Sequence, residues 1–159
     1  MMPIAQRSAM YGLIQTVLMC VFVAAVFLAP HAPLLLPGRA PGIIGGALCL
    51  AGLALLFAGV VGLGAAIQVS PAPKENAALV TSGIYRWFRH PIYTAIIAIV
   101  IGLFLRQSTI AVALAALTVI AYLAIKVVFE EKLLLARYPG YAEYRRKSWG
   151  LVPWPHLFS

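Results

Sequence analysis

The sequence predicts an all-α integral membrane protein: about four transmembrane helices, a C-terminal interfacial helix and no soluble Rossmann domain. Three observations carry this expectation. Of 159 residues, 63% are hydrophobic and only 10% charged, with a mean hydropathy of +0.96, too little polar surface for a water-soluble domain of this length. The apolar residues come in long unbroken blocks, the pattern that a bilayer selects. The charged residues gather at the ends of those blocks, and they do so unequally.

The blocks cover residues 10–29, 43–67, 91–105 and 109–129. A crossing helix takes roughly 20 residues, so the third is short unless residues before Pro91 extend it or protein lines its path. Arg7 ahead of the first block and Ala29-Pro30 after it resemble a secretory signal. The block nevertheless exceeds the roughly 7–15 residues of a signal core, and no A-x-A site follows, so it is expected to stay as a helix. Residues 30–42 hold four prolines and no helical period, which reads as an irregular connection. Ser108-Thr109 marks a tight turn that makes the last two spans an antiparallel hairpin. The fourth helix is expected to run past the membrane to Arg137, where Pro139-Gly140 breaks it before a second short helix. No repeat and no second, soluble domain is visible.

With the N-terminus inside, ten basic residues are cytoplasmic (Arg7, Lys74, Arg86, Arg89, Lys126, Lys132, Arg137, Arg145, Arg146 and Lys147) and two, Arg39 and Arg106, are outside. The positive-inside bias therefore puts both termini in the cytoplasm, in the style of a bacterial inner-membrane protein. The same reading explains the net charge of +8 without nucleic acid, since no basic stripe with interleaved aromatics exists. Cys20 and Cys49 lie in apolar segments with no nearby His, which argues against a disulfide and excludes a metal site. Gly59-Val60-Val61-Gly62-Leu63-Gly64 is no dinucleotide loop, because it lies inside a span with no strand before it. Small residues there predict close helix–helix contact.

Ionisable groups at membrane depth are costly and tend to be paired or functional, and three clusters qualify, all on the cytoplasmic side. The first runs from Thr81 through Gly83, Tyr85, Arg86, Trp87, Phe88, Arg89, His90 and Pro91 to Tyr93. Gly83 permits a turn, and Pro91 suits the first position of a helix with His90 as its cap. The positive end of that helix, reinforced by Arg86 and Arg89, is suited to a carboxylate or phosphate; the same residues also serve as positive-inside anchors with an aromatic belt. The second is Glu130-Glu131, two acids that oppose the macrodipole at a helix C-terminus. They suit a cationic or hydroxyl-rich ligand, or else pair with Lys126, Arg86 or Arg89. The third is the short helix, whose Tyr141 and Tyr144 share a face; it reads as an interfacial helix that can cover the site.

Thr81-x-Gly83-x-Tyr85-Arg86, then Arg89-His90-Pro91-x-Tyr93, Glu130-Glu131-x-x-Leu134 and Tyr141-x-x-Tyr144, ending at Pro153, resembles the isoprenylcysteine carboxyl methyltransferase family and, in part, the related phospholipid methyltransferases. The resemblance covers about the last half of the chain. It implies a membrane enzyme that uses S-adenosylmethionine to methylate a lipophilic substrate, an isoprenylcysteine-type carboxylate or another lipid. It also implies a single membrane domain, with residues 1–70 a two-helix scaffold and 71–159 the cofactor-binding half. The cofactor residues so implied are Gly83, Tyr85, Arg89, His90, Pro91, Tyr93, Glu130, Glu131, Tyr141 and Tyr144, with Arg145, Arg146 and Glu130 as candidates for the catalytic role. The chain departs from the family pattern at Ala95, where relatives commonly have Gly, and at Gly150, where many carry Arg. Two other functions fit the same residues: an NADPH-dependent enzyme like the sterol reductases, and a non-catalytic lipid-binding membrane protein.

Overall fold

A computed structural model of the chain describes residues 3–29, 35–64 and 79–151. Within these residues five α-helices form: α1 (Ile4–Leu28), α2 (Ala40–Leu63), α3 (Pro91–Gln107), α4 (Ile110–Arg137) and α5 (Tyr141–Lys147). A 3-10 turn, Gly83–Arg86, precedes α3. Helices α1, α2 and α4 are each long and apolar enough to cross a membrane. Helix α3 has 17 residues, about 25 Å at 1.5 Å per residue, and stays shorter than the others as its apolar block predicts.

The helix ends follow local chemistry. Helix α1 starts before its apolar block, at Ile4, because Gln6, Arg7 and Ser8 continue the helix without being apolar. Helix α2 starts at Ala40 with Pro41 in its first turn, where a missing N–H costs nothing. It is described as helix to Leu63; positions 65–67 of the expected span, the connection at 68–78 with Lys74 and Glu75, and Pro153 lie outside the described residues. The α3–α4 turn is as tight as expected. Ser108 caps α3 in the left-handed conformation (φ 50°), and the Thr109 hydroxyl accepts from the Val112 N–H to cap α4. Helix α4 runs to Arg137, so its last turns carry Glu130 and Glu131 to the end of the bundle where α3 begins.

Helices pair as two antiparallel couples, α2 with α3 and α1 with α4. In the first couple Gly45, Gly52 and Gly59, spaced two turns apart, let the backbones touch. A Cβ at Gly45 would stand 2.4 Å from the Gly102 carbonyl oxygen, one at Gly52 2.7 Å from Ile99, and one at Gly59 3.0 Å from Ile92. The glycine-rich sequence of α2 is thus a packing face for α3. The core between the couples holds Phe22, Val100, Val112, Ala116, Val119 and Leu123. Two outer hydrogen bonds close the far end, Gln107 Nε2 to the Val26 carbonyl (2.6 Å) and Leu35 N–H to the Ser108 carbonyl (3.0 Å).

Gly45→Ala forces a methyl into the α3 backbone and should cost about 1–3 kcal/mol, read as a lower thermal midpoint of the detergent-purified protein. Gly42→Ala, where a Cβ meets nothing within 4 Å, should leave the midpoint unchanged or raise it.

Candidate functional site

The mouth at this end of the bundle is assembled from the 3-10 turn, the start of α3, the end of α4 and α5. Gly83 adopts φ +58°, a left-handed conformation that glycine takes at little cost, and so turns the chain into the 3-10 helix. Tyr85 then buries its ring against Gly62 of α2 and donates its hydroxyl to the Gly59 carbonyl at 3.3 Å. The glycines of α2 therefore also seat the turn that leads into the site. Burial, with Tyr144 and Glu130 adding to it, pushes the Tyr85 phenol up to about 12, so it remains a donor at neutral pH.

His90 caps α3 and Pro91 opens it, as the His-Pro step predicts. The His90 side chain is 5% exposed and stacks on Tyr93, with centroids 5.7 Å apart and planes 9° from parallel. The Tyr93 hydroxyl bonds to Glu130. His90 Nδ1 stands 3.8 Å from Glu130 Oε2, and Nε2 stands 3.4 Å from Glu131 Oε1, the second an electrostatic contact at the long limit of hydrogen bonding.

The two adjacent acids do different work. Glu131 is buried and accepts from Arg89 Nε at 2.8 Å, while Arg145 Nε lies 3.2 Å from its other oxygen. Arg89, also buried, donates in addition to the carbonyls of Arg145 (2.7 Å) and Ser148. Glu130 stays partly open, its side chain 19% exposed, and its Oε2 has no hydrogen-bond partner among the described residues. His90 Nε2 and the Tyr141 hydroxyl are likewise buried without one.

The segment that follows α5 is stitched to the turn before α3. Arg89 N–H donates to the Trp149 carbonyl (2.8 Å) and Trp149 N–H to the Trp87 carbonyl (2.7 Å). The Tyr144 hydroxyl donates to the Tyr85 carbonyl (2.6 Å) and the Thr94 hydroxyl to the Leu151 carbonyl (2.9 Å). Helix α5 is a docked cover: Tyr141 is 1% exposed and meets Tyr144 edge-on at 5.8 Å. Burial raises the Tyr144 phenol to about 12 and lifts that of Tyr141 well above its ordinary range.

The cofactor residues expected from the sequence take two roles at this mouth. His90, Glu130 and Tyr141 carry the unpaired polar atoms, with Tyr93 stacked on His90; Gly83, Tyr85, Arg89, Pro91, Glu131 and Tyr144 hold the frame, Pro91 against Gly59 of α2. Of the two readings of these arginines, support for an anion site at the helix start or partnership with the Glu pair, Arg89 takes the second. Arg89 is committed to Glu131 and two carbonyls, and Arg86 lies exposed over Trp87 at 5.6 Å. Among the catalytic candidates, Arg145 lies against Glu131, Arg146 is exposed near Glu143, and Glu130 alone faces the unpaired atoms. The sequence offered Lys126 as a positive-inside charge and as a partner of the Glu pair, and gave Gln15 no role. A lysine and a glutamine inside apolar blocks were the available signal.

The sequence model of the isoprenylcysteine carboxyl methyltransferase (ICMT) family matches residues 45–136. A solved structure of a eukaryotic intramembrane Ras methyltransferase, isoprenylcysteine carboxyl methyltransferase, is similar in fold, with a TM-score of 0.64 at 21% identity. The match covers 92% of this chain and 53% of that one, so the chain spans about half the length of that protein. No curated protein matches the sequence.

Removing one partner of a buried ion pair costs about 3–5 kcal/mol. Arg89→Met should therefore lower the thermal midpoint and release the segment after α5. The release should appear as faster tryptic cleavage at Arg145–Lys147 than in the unaltered protein.

Proposed function

Because the chain belongs to the isoprenylcysteine carboxyl methyltransferase family, we propose that it is a membrane methyltransferase that uses S-adenosylmethionine to methylate a lipophilic acceptor at the cytoplasmic mouth. One observation carries the reading: His90 Nε2, Glu130 Oε2 and the Tyr141 hydroxyl, buried polar atoms from three elements, have no hydrogen-bond partner among the described residues. Buried polar groups are nearly always satisfied, so three of them from the elements that frame one mouth suit a polar ligand.

The residues fit this cofactor by type. The first-turn N–H groups of α3 suit its carboxylate, and Glu130 suits its ammonium or ribose hydroxyls. The His90–Tyr93 stack offers a face to its base. When bound, its sulfonium supplies the methyl group. The chain's own contribution is alignment and exclusion of water, with α5 and the stitched segment as the cover. An acceptor carboxylate is already ionised and needs no base; an amine would have to lose a proton, and Glu130 is the acid placed to take it. Gly150 is buried and brings no cation to an acceptor, so the reading extends to a lipophilic acceptor in general and not to a prenylcysteine in particular.

Equilibrium binding of tritiated S-adenosylmethionine to the detergent-purified protein tests the reading. Saturable binding is expected, weakened about tenfold or more by His90→Ala and by Glu130→Gln, since a hydrogen bond to a charged group is worth about 1.5–3 kcal/mol. Transfer of label to a component of a membrane lipid extract should follow. Saturable binding of NADPH in its place, or of neither nucleotide, would contradict the reading.

A further inference from the structure

Lys126 is 0% exposed and lies one helical turn before Glu130 in the apolar stretch of α4. A basic residue in a span ordinarily extends its stem to bring the charge to the interface, as the exposed Lys132 can. Lys126 instead turns inwards. Its ammonium donates to Gln15 Oε1 of α1 and lies 5.2 Å from the centroid of the Tyr93 ring, within reach of a cation–π contact. It also interacts with the Glu130 carboxylate. The charge thus lies over Tyr93, which stacks on His90, and acts electrostatically on Glu130, which approaches His90.

Helix α1 is held where Gln15 can reach. The Tyr122 hydroxyl donates to the Tyr11 carbonyl, Tyr11 stacks on Phe129 at 4.7 Å and 20°, and the Arg7 guanidinium lies 5.6 Å from the same Phe129 ring. These contacts fix α1 along the cytoplasmic half of α4. The residues matched by the family model begin at 45, so α1 lies wholly outside them.

We infer that Gln15 and Lys126 are a positioning pair for the cofactor site: Gln15 of α1 holds the Lys126 ammonium over the Tyr93 ring, where its charge also acts on Glu130, and so fixes the wall that meets the cofactor. The inference rests on the cofactor reading above. It makes α1 part of the working site and not only a scaffold. Gln15 suits the task because its amide oxygen accepts from the ammonium without bringing a second negative charge to compete with Glu130.

The test is tritiated S-adenosylmethionine binding to the full-length purified protein, with thermal midpoints measured in parallel. Lys126→Met should raise Kd about tenfold or more and Gln15→Leu about fivefold, while Lys126→Arg, which keeps the charge, should stay within about threefold of the unaltered protein. Should Lys126→Met fail to fold, Gln15→Leu decides, because a leucine at this half-buried position of a span is well tolerated. Unaltered affinity in folded Lys126→Met or Gln15→Leu, with His90→Ala still weakened, overturns this inference and leaves the cofactor reading standing. Equal loss in Lys126→Arg and Lys126→Met also overturns it, since packing and not charge would then be at stake. No binding by the unaltered protein overturns both.

Discussion

The buried pair between Arg89 and Glu131 is the contact on which the mouth depends. One guanidinium joins four pieces of chain: the turn before α3, the end of α4, the carbonyl of Arg145 in α5 and that of Ser148 beyond it. Such a pair gains little over an apolar core in net stability, because desolvating two charges offsets most of their attraction. Its value lies in direction. The planar guanidinium fork accepts only partners at set angles, so closing the pair also sets where α5 docks and where Tyr141 and Tyr144 stand. Glycines on α2 supply the other half of the constraint, since with a Cβ at Gly59 or Gly62 neither α3 nor Tyr85 could sit as close.

Two neighbouring acids on one helix turn thereby divide the labour. Glu131 has its oxygens directed at Arg89, Arg145 and His90, whereas Glu130 points into the space bounded by His90, Tyr93 and Lys126. An isolated carboxylate at this depth would be expensive. Lys126 and Tyr93 make its burial tolerable while leaving one oxygen without a hydrogen bond. A site built in this way keeps a polar surface ready for a ligand inside an otherwise apolar molecule, and that combination suits a reaction between a water-soluble cofactor and a lipid.

Much of this architecture could be read from the sequence because it is encoded locally. The Ser108-Thr109 turn, the His90 cap with Pro91 behind it, the run of α4 to Arg137 and the break at Pro139-Gly140 each depend on a few adjacent residues, and each stands where it was expected. The motif residues His90, Tyr93, Glu130, Glu131 and Tyr141 also come together at one mouth. What the sequence could not supply was which partner each charge takes. Glu131 finds Arg89 across 42 positions and Lys126 finds Gln15 across 111, and no periodicity links residues so far apart. The sequence therefore left Arg89 either facing a ligand or pairing with the Glu pair, and the structure gives it to Glu131. The contact between α1 and Lys126 was hidden for the same reason, since the α1 group that accepts from the ammonium is an uncharged glutamine.

The central claim is that a polar ligand enters the mouth bounded by the start of α3, the end of α4 and α5. Amide hydrogen exchange of the purified protein, with and without saturating S-adenosylmethionine, tests this most directly. Protection confined to peptides covering residues 83–94, 128–134 and 138–151 is the predicted result. Protection confined to the opposite end, around the Ser108-Thr109 turn and the start of α2, or no change anywhere, would contradict the account.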